Sequence, residues 1–546
     1  MRSSRPLPSV SDEKRWVPAG GSLLWPLVLG LFGCRENPAE ITPASSLSIS
    51  AAAVAPAQSE ASPSTPPSPR LEPSRVRLDG TTEPLSVNVV AKGPRIYSRQ
   101  LRTWVYERPS SGARKLGYLR AGSSSPTSTT PAGFEGCKQG WYPVEPRGYV
   151  CLDQSATLDK NDPVVRATEP YPPHFEHKLP YMYGTVRKPG PVYQRLPTGS
   201  ELVESEKGYA ERMETWFGAS GEIGAGYAQN VWAWGAPVDD PREAFANKTS
   251  KGVPPFLAGS AVLPRLSTVP RPTTLVLEHM RSKVGYAFLD TFLHEGRRYG
   301  LSTQFELVPT DRLRPIQGSD FQGVEIGKDV DFPFAFVRHE NAKFVEANGK
   351  VGENAPYRAV IKLTGKQKFF GGVLHYETED GSFLSDRHAS RLDLAKRMPG
   401  WAQKGEKWID VNITKQTLML YEGTKAVYAT LVSTGEAGLA SADETTATRQ
   451  GIFRIHTKHV TATMASSESG EEFELRDVPY VQYFKDGYAL HGAYWHDRFG
   501  VPKSHGCINL SPEDARRVFA WTEPQVPTGW HGALLPLEGT VMFVHR

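Results

Sequence analysis

The sequence predicts a mainly β, multidomain protein, in which modules of short strands precede a C-terminal β-domain that carries one short helix. The chain has 546 residues, too many for one hydrophobic core, and is rich in Gly (50) and Pro (45). Short segments that alternate apolar and polar residues recur along it. The net charge of +4 fits weak attraction to an anionic polymer or surface, and we expect no nucleic-acid partner.

Residues 1–34 have the pattern of an export signal. Four basic residues precede an apolar run from Leu23 to Gly33, about half the length that a membrane-spanning helix needs. Cys34 follows at once, and the stretch resembles a bacterial lipobox, which implies a lipoprotein signal peptide with Cys34 as the lipidation site. The alternative is an ordinary secretory signal with a cysteine there by chance.

Residues 35–80 are dominated by Ala, Ser and Pro. Such a composition buries too little apolar surface to offset the entropy of ordering the chain, which predicts a disordered tether. About forty residues of this kind span roughly 35 Å as a random coil. The tether would let the following domains reach from a membrane anchor to a substrate.

Residues 85–155 form the first predicted β-module, which resembles a bacterial SH3-like barrel. Cys137 and Cys151 flank a strand–turn–strand pattern in it. Export permits a disulfide between them, worth about 3 kcal/mol in the chain-entropy model, and two reduced buried cysteines are the alternative.

Residues 156–400 contain further segments of similar pattern, at 184–216, 282–313 and 334–392. We expect these to be degenerate SH3-like β-modules that either bind cell wall or only brace the rest of the protein.

Residues 405–546 form the predicted C-terminal domain. Segments that begin at Trp408, Thr417, Ala426 and Gly451 have the pattern of successive strands. A helix is predicted from Ser511, because serine caps helices well and the Pro and two acidic residues that follow suit a helical first turn.

Cys507 is the candidate nucleophile of this domain. A thiol of ordinary pKa, about 8.5, is only slightly ionised at neutral pH and needs a base, for which His491 is the candidate. Gly506 lets the main chain approach a substrate carbonyl closely, and the N–H groups of Gly506 and Cys507 are candidate oxyanion donors.

The stretch around Cys507 resembles the catalytic signature of the L,D-transpeptidase (YkuD-type) family. The match comprises a His-Gly pair, a spacer, and a six-residue motif: His491-Gly492, then Ser504-His505-Gly506-Cys507-Ile508-Asn509. The resemblance covers roughly a quarter of the chain. It departs from the family at Arg449, where Pro usually follows Thr.

The resemblance implies a C-terminal β-sandwich of the L,D-transpeptidase type and a role for each motif residue. Cys507 would be the nucleophile and His491 its base, oriented by the backbone carbonyl of Gly492. His505 would line the site, and Ser504 and Asn509 would shape the loop. Three aromatic residues are candidates for the substrate cleft, with core packing as an equal alternative: Tyr480, Tyr494 and Trp495.

The implied substrates are peptidoglycan stem peptides. Cys507 would attack the diaminopimelate–D-Ala bond of a tetrapeptide stem and release D-Ala. Transfer to an amine would then give a 3–3 cross-link or attach a protein acceptor, whereas transfer to water would make the enzyme an L,D-carboxypeptidase. The resemblance implies no metal and no organic cofactor.

Three alternatives remain at this stage. A zinc site made of His491, His496, His505 and Cys507 lacks a carboxylate or a CxxC pair at ligand spacing. A general cysteine protease is the second alternative. A non-catalytic wall-binding lipoprotein is the third, and the intact pair of His491 and Cys507 argues against it.

The expected location follows from the anchor and the substrate. A lipid-anchored enzyme that acts on diaminopimelate peptides suggests a Gram-negative periplasm. Arg35 after the lipobox cysteine resembles an outer-membrane sorting signal, so we expect an exported protein anchored in the outer membrane and facing the periplasm.

Overall fold

The computed structural model describes residues 93–212, 252–295, 297–439, 441, 445–466 and 473–546. The predicted signal peptide, the tether and the lipidation site at Cys34 lie outside these residues. Within them the regular structure is mainly β, as predicted, and the helices are short. Among the described residues, no helix has the length and apolar character needed to cross a membrane.

The first part of the chain, up to residue 212, consists of short strands and two short helices. Their bounds are β1 (Arg95–Ser98), β2 (Thr103–Tyr106), β3 (Lys115–Leu119), β4 (Ser124–Pro126), β5 (Trp141–Pro143), β6 (Tyr149–Cys151), β7 (Ala156–Thr157), α1 (Pro163–Thr168), β8 (Met182–Val186), β9 (Pro191–Tyr193) and α2 (Gly199–Ser205). Cys137 and Cys151 form the predicted disulfide, with their Cα atoms 5.8 Å apart.

Residues 252–392 continue the β pattern in two groups. The first group has two 3₁₀ turns, at Pro255–Ser260 and Thr310–Arg312, and five strands: β10 (Val276–His279), β11 (Val284–His294), β12 (Arg297–Ser302), β13 (Leu307–Pro309) and β14 (Leu313–Ile316). The second has eight strands: β15 (Val324–Glu325), β16 (Phe334–Val337), β17 (Lys343–Val345), β18 (Val351–Asn354), β19 (Val360–Phe370), β20 (Val373–Thr378), β21 (Phe383–Ser385) and β22 (Ala389–Leu392).

The C-terminal part contains the longest described strand, Phe473–Lys485, and the longest described helix, Pro512–Trp521. Its elements are α3 (Gly400–Gln403), β23 (Lys407–Asn412), β24 (Thr417–Glu422), β25 (Lys425–Leu431), β26 (Gly451–Arg454), β27 (Thr457–Ser466), β28 (Phe473–Lys485), β29 (Tyr488–Gly492), β30 (Ile508–Leu510), α4 (Pro512–Trp521), β31 (Gly532–Leu534) and β32 (Val541–His545). Helix α4 begins as predicted, because Ser511 Oγ accepts a hydrogen bond from the N–H of Asp514 at 3.1 Å.

The C-terminal domain is a β-sandwich. One layer is a six-stranded sheet in the order β15-β25-β24-β23-β32-β26. The other layer comprises β27–β31, and apolar side chains from both layers pack between them, including Leu418, Leu420, Leu490 and Ile508. Helix α4 packs on this core through Ala515 and other apolar side chains.

The second layer continues into the rest of the protein. Among the described residues, sixteen strands join in one sheet, in which β3 pairs antiparallel with β31 and β11 pairs parallel with β28. Two of the predicted modules, 85–155 and 282–313, are therefore hydrogen-bonded directly to the C-terminal domain. The SH3-like barrels stay a prediction.

A buried ion pair lies at this junction. Arg120 donates to the carboxylate of Asp477, which also accepts hydrogen bonds from Thr303 and Thr461, both at 2.5 Å. Burial opposes the charged carboxylate, but Arg120 and the two hydroxyl groups outweigh this and hold the pKa of Asp477 below its usual range. Tyr183 Oη donates to the backbone carbonyl of Asp477 at 2.6 Å.

Residues 334–392 are attached differently. Strands β16–β22 form a separate seven-stranded sheet, in the order β18-β17-β21-β20-β19-β16-β22. This sheet meets the C-terminal domain through side chains, with Phe334 and Phe336 in one apolar cluster with Phe499. Tyr357 Oη donates to the carbonyl of Phe499 at 3.3 Å, and Arg358 pairs with Asp497 at 2.7 Å.

Candidate active site

Two neighbouring parallel strands bring His491 and Cys507 together. In the register of β29 and β30, Leu490 lies opposite Ile508 and His491 lies opposite Asn509. Alternate residues of an extended chain point to the same face, and neighbouring strands lie about 4.8 Å apart. His491 and Cys507, one residue before β30, are therefore directed to the same face of the sheet.

The loop before Cys507 is held by its own hydrogen bonds. Ser504 Oγ donates to the carbonyl oxygen of Cys507 at 2.5 Å and accepts from the N–H of Gly506 at 3.1 Å. The second of these bonds engages the N–H of Gly506, one of the two predicted oxyanion donors. To stabilise an oxyanion, this N–H would have to exchange Ser504 Oγ for the substrate oxygen as its acceptor. Gly506 has φ +116°, and a Cβ there would lie 2.6 Å from the Tyr488 ring, so a side chain is excluded by backbone conformation and by space.

His491 is buried in a form suited to a base. Its side chain lies in the core and only 2% of the residue is exposed. Burial lowers its pKa to about 4, although the Gly492 carbonyl, 3.4 Å from Nδ1, acts in the opposite direction. The imidazole is thus neutral at neutral pH, and a proton on Nδ1 directed at Gly492 leaves Nε2 to accept another.

The three aromatic candidates have different surroundings. Tyr480 and Tyr494 are 1% and 2% exposed, and Tyr480 packs on Phe519. These positions favour the packing alternative for both tyrosines. Trp495 is partly exposed, with its ring centroid 5.6 Å from that of His491, and it is the one of the three that can face a substrate without rearrangement.

Two further polar residues of the motif, His505 and Asn509, and the nearby His496 complete the surroundings of the site. His505 is partly exposed and lies beside the Phe473 ring, 5.5 Å between centroids. Asn509 Nδ2 lies 2.9 Å from Nε2 of His496, whose pKa burial lowers to about 4. Sequence reasoning considered His496 only as a metal ligand and missed this contact.

The apolar cluster that contains Cys507 includes residues from outside the C-terminal domain. Cys507 is 1% exposed and belongs to an apolar cluster that includes Tyr181, Tyr183 and Ala287. The Tyr183 ring stacks on Tyr494 at 4.3 Å. No motif marks these residues in the sequence, where their alternation indicates only a strand.

Comparison with known proteins finds a family match for one part of the chain. Residues 406–540 match the family model described as the YkuD L,D-transpeptidase catalytic domain. No curated protein matches the chain.

Three solved structures illustrate the likeness. A mutant of the Enterococcus faecium L,D-transpeptidase is 23% identical over 26% of this chain and 49% of that one, with a TM-score of 0.20. An L,D-transpeptidase from Stackebrandtia nassauensis is 28% identical over 28% and 56% of the two chains, with a TM-score of 0.18. One from Mycobacterium smegmatis is 16% identical over 38% and 78%, with a TM-score of 0.21. The match spans about half the length of the first of these structures. The family match therefore gives residues 406–540 a likeness to the YkuD L,D-transpeptidase catalytic domain, within a longer chain.

Proposed function

We propose that the protein is a peptidoglycan L,D-transpeptidase with Cys507 as its nucleophile. The observation that supports the proposal is that His491 in β29 and Cys507, one residue before β30, are directed to one face of the sheet, inside a domain that matches this family. The substrates are peptidoglycan stem peptides that end in diaminopimelate and D-Ala.

The first half-reaction is an acyl transfer to sulfur. His491 takes the thiol proton as Cys507 attacks the carbonyl carbon of diaminopimelate, and backbone N–H groups of the loop stabilise the developing oxyanion. The C–N bond then breaks, and His491 returns the proton to the amine of departing D-Ala. The product is a thioester on Cys507.

The second half-reaction resolves the thioester. An amine of another stem peptide attacks, loses a proton to His491 and forms a 3–3 cross-link, while the thiol is restored. An amine on a protein is a second candidate acceptor. Capture by water, the carboxypeptidase reaction, is disfavoured by the burial of Cys507, which keeps bulk solvent from the acyl group.

Access to the thiol sets a condition on this reaction. Cys507 is 1% exposed and shares an apolar cluster with Tyr181 and Tyr183, so side chains around it must move aside to admit a stem peptide. Trp495 and His505 are partly exposed. We therefore expect the acyl donor to enter on their side.

We further propose export with a lipid anchor at Cys34, in the outer membrane facing the periplasm. The support is the sequence of residues 1–35 and the disulfide between Cys137 and Cys151, because disulfides form and persist in oxidising compartments. Mass spectrometry of the protein from membranes tests the anchor, and an unmodified Cys34 would contradict it.

The decisive test is incubation of the purified chain with disaccharide-tetrapeptides, followed by mass spectrometry. We expect loss of D-Ala and a 3–3 linked dimer from the wild type, and neither from Cys507→Ala. Loss of D-Ala without a dimer would favour the carboxypeptidase or a protein acceptor. An unchanged substrate, with a folded wild type whose Cys507 is alkylated by iodoacetamide, would overturn the proposal and favour a wall-binding role.

A further inference from the structure

A group of three metal-ligating side chains lies away from the catalytic residues. It comprises His174, Glu176 and His177, in the segment between α1 and β8. One ligand atom from each residue lies within 4.8 Å of the ligand atoms of the other two. Among the described residues, these three form the group that could hold a metal ion. We propose that these three residues bind a zinc ion.

The distances fit tetrahedral coordination after small side-chain movements. Ligand atoms that lie 2.0–2.2 Å from zinc in a tetrahedron are about 3.4 Å from one another. Glu176 Oε1 lies 2.7 Å from His174 Nδ1 and 3.7 Å from His177 Nε2, values on either side of that spacing. The side chains are partly exposed, so they have room to adjust and an ion has access to them.

The chemistry of the three ligands selects the class of ion. Two imidazoles and one carboxylate suit zinc and its transition-metal neighbours, whereas calcium and magnesium prefer oxygen ligands only. Three protein ligands leave the fourth position to water.

The backbone around the three ligands is already fixed. The N–H of His174 donates to the carbonyl of Pro180 at 3.0 Å, and Tyr480 Oη donates to the carbonyl of His177 at 3.3 Å. Lys178 forms an ion pair with Asp320. Because these contacts restrain the backbone of the segment, binding would have little conformational entropy to overcome.

The position of the site gives the ion a structural consequence. The ligands directly precede Leu179, Tyr181 and Tyr183, which belong to the apolar cluster that contains Cys507. A bound zinc ion would therefore restrain the segment that contributes these residues to the cluster around Cys507. This consequence rests on the proposed function only in so far as Cys507 is the nucleophile, and its exposure is measurable without any peptidoglycan.

Zinc titration of the metal-free full chain tests the site. The Cys507→Ala background removes the free thiol as a competing ligand, and a chromophoric chelator reports affinity while elemental analysis after desalting reports stoichiometry. We expect one retained zinc per chain. His174→Ala and His177→Ala should each weaken binding by roughly 100-fold, at the upper end of what loss of an outer-shell partner costs, and Glu176→Gln by roughly tenfold.

His294→Ala is the matched control, because His294 also pairs with a neighbouring glutamate, Glu295 at 4.0 Å, and should leave binding unchanged. Equal zinc retention by the wild type and by a His174→Ala/His177→Ala double variant would overturn the site as adventitious binding elsewhere. So would the absence of retained zinc in the wild type. Circular dichroism verifies that each variant is folded.

A second measurement uses the thiol of the wild-type protein. Zinc should slow the alkylation of Cys507 and raise Tm, and both effects should vanish in the double variant. Slowing of equal size in both proteins would mean that zinc acts at Cys507 itself and would overturn the structural consequence. Since neither readout needs transpeptidation, failure of the proposed function leaves this test intact.

Discussion

Residues 93–316 and residues 334–392 both lie outside the catalytic domain, yet they are attached to it by different interactions. The first region shares backbone hydrogen bonds with it, through β3 with β31 and β11 with β28. The second keeps its own sheet and contributes packed side chains. Separation of the first region would leave strand edges of the catalytic domain unpaired, whereas separation of the second would expose only side chains.

The charges at the two junctions show the same difference. The pair of Arg120 and Asp477 is buried, with side chains 13% and 3% exposed. In the pair of Arg358 and Asp497, the aspartate side chain is 59% exposed. A buried charge depends on its partner, whereas an exposed one has water as a substitute. The first region is therefore a structural part of the catalytic domain, and the second is a neighbour of it.

The largest expected effect comes from Asp477→Asn. The change leaves Arg120 buried without its counter-ion, and we expect the free energy of unfolding to fall by about 3–5 kcal/mol. Asp497→Asn is the matched control, with an expected loss below about 1 kcal/mol. Urea titration of both variants measures the difference, and equal losses would refute the contrast between the junctions.

The same pair predicts an acid-sensitive junction. The folded-state pKa of Asp477 lies below its unfolded value. Its contribution to stability is therefore present above the unfolded pKa, about 3.9, and is lost as pH falls through the folded value. The difference in stability between the wild type and Asp477→Asn should shrink below about pH 4. A constant difference would contradict the ion pair as its origin.

An intermediate effect is expected from Gly285→Ala in β11. A Cβ at this position would lie 2.5 Å from Tyr494 Oη and 3.2 Å from Leu475. We expect a loss of about 1–3 kcal/mol from overpacking. Transpeptidation should fall as well, because Tyr494 contacts Trp495, which lies beside His491. Gly199→Ala, with open space around its Cβ, is the control and should behave as the wild type.

The pH dependence of catalysis sharpens this prediction. Because the pKa of His491 is lowered to about 4, the imidazole stays neutral in mildly acidic solution. We therefore expect kcat/KM to be retained at pH values well below about 6.5, the ordinary pKa of histidine. The contribution of His491 to stability is present above about pH 6.5, where the unfolded imidazole is neutral, and is lost as pH falls towards 4. Gly285→Ala should loosen the packing of Tyr494 and Trp495 beside His491. The acid limb of the kcat/KM profile should then shift to higher pH. An unshifted acid limb would show that the packing of Tyr494 does not set the pKa of His491.

The smallest effects are expected from a pair of Tyr→Phe changes. Tyr183→Phe removes a buried 2.6 Å hydrogen bond to the carbonyl of Asp477, and Tyr357→Phe removes a partly buried 3.3 Å bond to the carbonyl of Phe499. We expect about 1.5 kcal/mol for the first and about 0.5 kcal/mol for the second. Thermal denaturation ranks them, and the reverse order would contradict the greater dependence on the first junction.

The features that could be predicted from the sequence are those that depend on local patterns. The spacing of His491 and Cys507, the capped start of α4 and the pairing of Cys137 with Cys151 each depend on residues close together in the chain. The contact between Arg120 and Asp477 joins residues 357 positions apart, and no sequence pattern indicates it. The burial of Tyr480 and Tyr494 likewise depends on neighbours that only the fold supplies.

By itself, the sequence predicts the kind of chemistry. A cysteine, a histidine and the glycines beside them form a short motif, because nucleophile, base and oxyanion donors must lie within hydrogen-bond reach. The tertiary structure decided which residues from other parts of the chain pack around the candidate site. Tyr183 from β8 and Gly285 from β11 pack against Tyr494. Their positions follow from strand pairing between segments that are distant in the chain. Such pairing depends on which sheet edges remain open after the local strands have formed, and a local motif does not encode it.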